Sequence, residues 1–95
     1  MTRVRLADRS DADIARQVRG ARAMLGWSQD DLARRAAVAP RTIADLEAGR
    51  RLPRDGTVER IVQALSEAGM VLVGTPDGIG LFLKSSVDGG ANGKA

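Results

Sequence analysis

Apolar residues recur at helical spacing through the first 69 positions, but Gly26, Gly49 and Gly69 cut that pattern into short pieces. Short helices are marginal in water when isolated, so these pieces must bury one face against each other. In the first, Ile14, Val18, Ala21 and Leu25 fall on one stripe. Ser10 can cap its start, with Asp13 near the positive helix end, and Gly26 stops it. Ser28 caps a second helix, with Asp30 and Asp31 in its first turn and Leu32, Ala33 and Ala36 inward. Ala37-Val38-Ala39 has room only for a turn. Pro40 suits the first position of a third helix, where its missing N–H costs nothing. Ile43 and Leu46 form that helix's inner face, and Gly49 ends it. A fourth helix is predicted from near Asp55 through Val58, Ile61, Val62 and Leu65 to Gly69.

The pattern then changes. Met70-Val71-Leu72-Val73 and Leu81-Phe82-Leu83 are short apolar runs, and Asp77-Gly78 between them predicts a hairpin turn. The fold expected is therefore mainly α, one helical domain over residues 10–68 with a C-terminal β-hairpin over 69–84. Residues 1–9 carry three Arg and no helical period, and read as a flexible basic arm. Residues 85–95, rich in Gly, Ser and Asn, read as a disordered tail. At 95 residues a single domain is expected.

Composition removes whole classes of chemistry. The chain has no His and no Cys. The usual zinc and haem sites, a disulfide, a Cys nucleophile and a Ser-His-Asp relay are all excluded. The acidic residues are scattered at helix starts rather than clustered, so neither an enzyme nor a cofactor is expected. Charge is unevenly placed: residues 1–54 hold 12 basic and 7 acidic side chains, while residues 55–95 hold 3 and 5. That asymmetry suits a polyanion-facing first half, or simply a solvated charged surface. No apolar run approaches the roughly 18 residues of a membrane span, and no signal core is present, which predicts a cytoplasmic protein.

A second and third helix joined by a three-residue turn, with flanking helices, is the architecture of a helix-turn-helix DNA reader. Periodicity alone fits a plain helical bundle equally well. In Pro40-Arg41-Thr42-Ile43-Ala44-Asp45-Leu46-Glu47, however, Ile43 and Leu46 point inward while Arg41, Ala44 and Asp45 point outward. That leaves a polar or small face for a groove about 12 Å wide.

The run Leu25-Gly26-Trp27-Ser28-Gln29-Asp30-Asp31-Leu32-Ala33, followed by Val38, Thr42-Ile43, Leu46-Glu47 and Gly49-Arg50-Arg51, resembles the phage-repressor/Cro-like (XRE) helix-turn-helix family. The resemblance covers about residues 10–68. It implies a lambda-repressor-like, five-helix-type domain, usually dimeric, that binds operator DNA and regulates transcription. It further implies that Pro40, Arg41, Ala44 and Asp45 lie where base edges are read. Arg41 can contact guanine in bidentate fashion or can meet phosphate. Asp45 can accept from cytosine, or can orient Arg41 four residues away. Gln29 matches a residue that binds phosphate and braces the reading helix. Thr42, Arg50, Arg51 and Arg54 fall at backbone-contact positions, and Arg3 and Arg5 of the arm could reach DNA likewise. Arg22 and Glu47 match an internal ion pair. Ala39 and Pro40 depart from the family, where a Ser or Thr cap and a polar reader are usual. Trp27, placed before the second helix, is expected in the core.

The hairpin, apolar on both faces, would be an aggregation hazard if exposed. It is expected to pack on the helices and to pair with a second copy through Met70, Val71, Leu72, Val73, Leu81, Phe82 and Leu83. The function implied is a sequence-specific transcriptional regulator, a repressor, binding double-stranded DNA at an inverted repeat as a homodimer. The alternative is an antitoxin of the same fold that also represses its own operon and holds a toxin partner.

Overall fold

The computed structural model describes residues 10–85, so the expected arm, with Arg3 and Arg5, and the tail beyond Ser85 lie outside the described residues. Four helices, α1 (Asp11–Leu25), α2 (Gln29–Ala36), α3 (Pro40–Glu47) and α4 (Thr57–Glu67), precede two strands, β1 (Met70–Thr75) and β2 (Gly78–Leu83). The fifth helix implied by the resemblance does not occur among the described residues. The chain after α4 becomes an antiparallel hairpin instead.

Local chemistry sets the helix ends. Ser10 Oγ accepts the Asp13 N–H at 3.1 Å. At α2 a full capping box forms: Asp31 N–H donates to Ser28 Oγ at 3.0 Å, and Ser28 N–H donates to Asp31 Oδ2 at 2.8 Å. The Ser28 N–H, helped by Arg34, holds the Asp31 carboxyl below its ordinary pKa. The carboxylate half of this cap is therefore complete at neutral pH and weakens on acidification below the usual carboxylate range, while the bond to Ser28 Oγ remains.

Helices α1, α2 and α3 all close with the same paired bonds. Trp27 N–H reaches Arg22 O, Val38 N–H reaches Ala33 O, and Arg50 N–H reaches Asp45 O. The residue between must adopt a left-handed conformation. Gly26 and Gly49 do so at φ 72°, but at the end of α2 the position falls to Ala37, at φ 59°. A Cβ there costs about 1–2 kcal/mol in local strain. Ala37→Gly is expected to raise stability by about 0.5–1 kcal/mol, after the extra unfolded-state entropy of glycine is deducted. Urea unfolding measures it, and a loss of stability would contradict this reading.

The core gathers Val18, Leu32, Ile43, Leu46, Ile61 and Leu65, each fully buried, so all four helices contribute. Two details differ from the sequence expectation. Helix α4 starts at Thr57 rather than Asp55, because Asp55 and Gly56 both take positive φ (62° and 79°) and form a tight turn closed by Thr57 N–H to Arg54 O. The hairpin bend is centred on Pro76-Asp77 rather than Asp77-Gly78, since Thr75 pairs with Gly78. Pro76 presets the bend, and Thr75 Oγ1 accepts the N–H groups of Asp77 and Gly78 at 3.1 and 3.2 Å.

The hairpin lies on α1 and α4. Its inner face carries Met70 and Leu72, both buried, with Leu81 and Leu83 packed partly against the core. Gly20 in the middle of α1 permits this approach, as a Cβ there would stand 2.8 Å from Leu81 Cδ1. Gln17, fully buried, ties the two units together, its Nε2 donating to Val73 O at 2.9 Å and Gly80 O at 3.0 Å.

Candidate nucleic-acid interface

Helix α3 is about 12 Å long and has no side-chain bond at its Ala39 N-cap. Its position is set mainly at the other end. Glu47, the last residue of α3, is buried. A carboxylate at a helix C-terminus opposes the helix dipole, so it needs cationic partners. Arg22 of α1 supplies them in a two-pronged contact: Nε donates to Glu47 Oε2 at 2.7 Å and Nη2 to Oε1 at 3.0 Å. The third Arg22 bond, Nη1 to Trp27 O at 2.7 Å, anchors the segment between α1 and α2. Hydrogen bonding to Glu47 raises the Arg22 pKa, so its charge is permanent.

Two further donors complete the clamp. Gln29 Nε2, in the first turn of α2, reaches Glu47 Oε1 at 3.1 Å. Arg19 Nη1 reaches the Glu47 backbone carbonyl at 2.9 Å, one of the acceptors a helix end leaves open. Arg19 carried no sequence signal beyond its charge. The i, i+3 spacing to Arg22 was available, but only with the position of α3 in hand.

With Ile43 and Leu46 buried on one side of α3, the opposite side holds Arg41, exposed, and Ala44 and Asp45, half-exposed. Pro40 is exposed at its start, and Thr42 is half-buried. The Asp45 carboxylate sits between two guanidinium groups, 3.3 Å from Arg41 Nε and 3.3 Å from Arg50 Nη1. Both Arg are well exposed, so these pairs contribute little to stability. The Arg41 contact runs between residues four apart, along the outer side of α3. Arg50, Arg51 and Arg54 follow in the exposed loop between α3 and α4. Arg41, Arg50, Arg51 and Arg54 are thus clustered in sequence on and just after one helix, while Gln29 lies at the start of the helix packed beside it.

Trp27 is half-buried against the core, as expected, and its ring is covered by the Arg35 guanidinium at 4.4 Å from the ring centre. That contact contributes on the order of 0.5–1 kcal/mol at an exposed site. The seven hairpin residues divide by strand alternation. Met70 and Leu72 belong to the chain's own core, Leu81 and Leu83 lie half-buried on it, and Val71, Val73 and Phe82 occupy the outer face. Among the described residues no cluster of acidic side chains could hold a metal, and no helix is long and apolar enough to cross a membrane.

The two short helices joined by Ala37-Val38-Ala39, with α3 pinned through Glu47, its polar side outward and basic residues in the loop that follows it, define a helix-turn-helix DNA-binding fold. Residues 13–69 match the family model described as helix-turn-helix domain, and the chain belongs to that family. No curated protein matches it.

Proposed function

We propose that the chain is a sequence-specific transcriptional regulator, a repressor, that binds an inverted-repeat operator as a homodimer. The observation that carries this reading is the clamp on Glu47. It joins Arg22, Gln29 and Arg19 from two other helices to the end of α3 and leaves the Arg41, Ala44 and Asp45 side of α3 facing solvent. A helix held rigidly with one polar face outward is what insertion into a major groove requires.

In this reading Arg41 reads a base edge, with Pro40 and Ala44 lying against neighbouring bases. Asp45 aligns Arg41 and Arg50 rather than meeting the DNA itself, because a carboxylate near phosphate is repelled. Gln29 and Thr42 contact phosphate, and Arg50, Arg51 and Arg54 neutralise the backbone beside the groove. Phosphate contacts govern non-specific affinity and salt dependence, while base contacts govern sequence choice.

Fluorescence anisotropy on labelled duplex DNA separates the two roles. Arg51→Ala with Arg54→Ala is expected to lower the slope of log K against log salt by about 2, one per residue, with sequence preference unchanged. An unchanged slope would remove both residues from the interface.

A further inference from the structure

We infer that β2 is the dimer seam: the free edge of β2 pairs antiparallel with β2 of a second copy, about a two-fold axis through Leu81. This deepens the proposed homodimer by naming the surface that makes it. The bond pattern within the hairpin shows which backbone groups are free. Lys84 N–H donates to Gly69 O at 2.9 Å, so Gly69 and Lys84 are a hydrogen-bonded pair. Bonded and non-bonded pairs alternate in an antiparallel ladder. Val71 with Phe82, Val73 with Gly80 and Thr75 with Gly78 are therefore bonded pairs, while Met70, Leu72 and Gly74 on β1 and Ile79, Leu81 and Leu83 on β2 turn their N–H and C=O groups outward. Gln17 agrees, since one amide nitrogen can touch Val73 O and Gly80 O only if both carbonyls point between the strands.

The two edges differ in access. Met70 and Leu72 are 2% and 4% exposed, so the β1 edge is covered at those residues. Ile79, Leu81 and Leu83 all retain partial exposure, and a groove of about 200 Å³ opens beside Ile79, Gly80 and Leu81 against Arg16 and Gln17 of α1. Strand β2 reads Gly-Ile-Gly-Leu-Phe-Leu, with no charge and no Pro to deter a neighbour.

A second copy of the same strand matches this edge in detail. With the axis at Leu81, Leu81 faces its own counterpart, and Ile79 faces Leu83 in both directions. All three outward residues of each strand then meet an outward residue of the other. On the outer face this register sets Phe82 opposite Gly80 of the second copy, twice by symmetry. Phe82 is 60% exposed in the single chain, and a Cβ built at Gly80 would meet nothing within 4 Å. An exposed ring and an open glycine on one strand become complementary across the axis. Met24, the other large exposed hydrophobic among the described residues, lies one turn beyond Gly20 on the side of α1 that supports Leu81.

Single-cysteine crosslinking tests the register in a chain that has no cysteine of its own. The full chain carrying Gly80→Cys is mixed with the full chain carrying Phe82→Cys and oxidised. The expected result is a mixed disulfide dimer in large excess over either self-linked dimer, since directly opposed non-bonded pairs fit disulfide geometry. In parallel, light scattering is expected to show Ile79→Pro weakening self-association by about a hundredfold, because it removes only edge donors. Circular dichroism and thermal unfolding confirm that this variant remains folded. Equal crosslinking in all mixtures, no crosslinking, or a folded Ile79→Pro chain that still dimerises would overturn the seam. A dimer formed elsewhere that still binds its operator would overturn the seam alone. A crosslinked dimer with no DNA affinity would overturn the function alone.

Discussion

Arg22→Ala is expected to destabilise the fold by about 3–5 kcal/mol, because it strands the Glu47 carboxylate in the interior. The Glu47 side chain is 3% exposed against 20% for Arg22. After removal of Arg22 the carboxylate keeps only the Gln29 amide, 3.1 Å away, and it cannot turn to water. The reverse change is expected to be milder. In Glu47→Ala the Arg22 guanidinium retains the Trp27 carbonyl and can reach solvent along its exposed flank. Arg22→Lys should recover only part of the loss, since an ammonium cannot hold both carboxylate oxygens and the Trp27 carbonyl in one plane. Urea unfolding of the three variants orders them directly. A loss below about 1 kcal/mol for Arg22→Ala would mean that α3 is held by its apolar face alone.

Arg41→Ala carries the largest expected effect on binding, a loss of about 1–3 kcal/mol at the preferred operator with sequence discrimination relaxed at one position in each half-site. The fold should not notice, because Arg41 is exposed and its only recorded side-chain partner among the described residues is Asp45. Asp45→Ala provides the complementary measurement. If Asp45 positions Arg41, its removal lowers discrimination while raising non-specific affinity, as one negative charge leaves the phosphate surface. If Asp45 instead accepts from a base, discrimination falls without the rise in non-specific affinity. Mobility shifts against a competitor duplex distinguish the two outcomes.

The parts of this molecule that could be read in advance are those whose causes are local. Ser10, Ser28, Gly26 and Gly49 act within three or four residues of themselves, and both ends of α1, the start of α2 and the end of α3 follow from them. The Arg22–Glu47 pair spans 25 positions, and only the family resemblance pointed to it. Gln17 had no such help. It reads as an ordinary polar residue in α1, and its partners are backbone carbonyls 56 and 63 positions away, which no side-chain pattern advertises. Two boundaries were missed through turn chemistry. The Asp55-Gly56 dipeptide favours successive left-handed residues, and that preference keeps the apolar stripe of α4 from reaching back beyond Thr57. At the hairpin, Pro76 restricts φ one residue before the Asp-Gly pair, and the bend moves back to include it. The split of the apolar hairpin into a core face and an outer face depends on strand register, which two uninterrupted apolar runs leave undetermined.

Selection of bound duplexes from a random DNA pool, with the full chain, tests α3 as the reading helix. Enrichment is expected for an inverted repeat whose half-site centres lie about one helical turn, roughly 34 Å, apart. The same selection with Arg41→Ala should return the repeat with one position per half-site degenerate. A pool that remains random, or an identical motif from both proteins, would contradict the assignment of α3 as the reading helix.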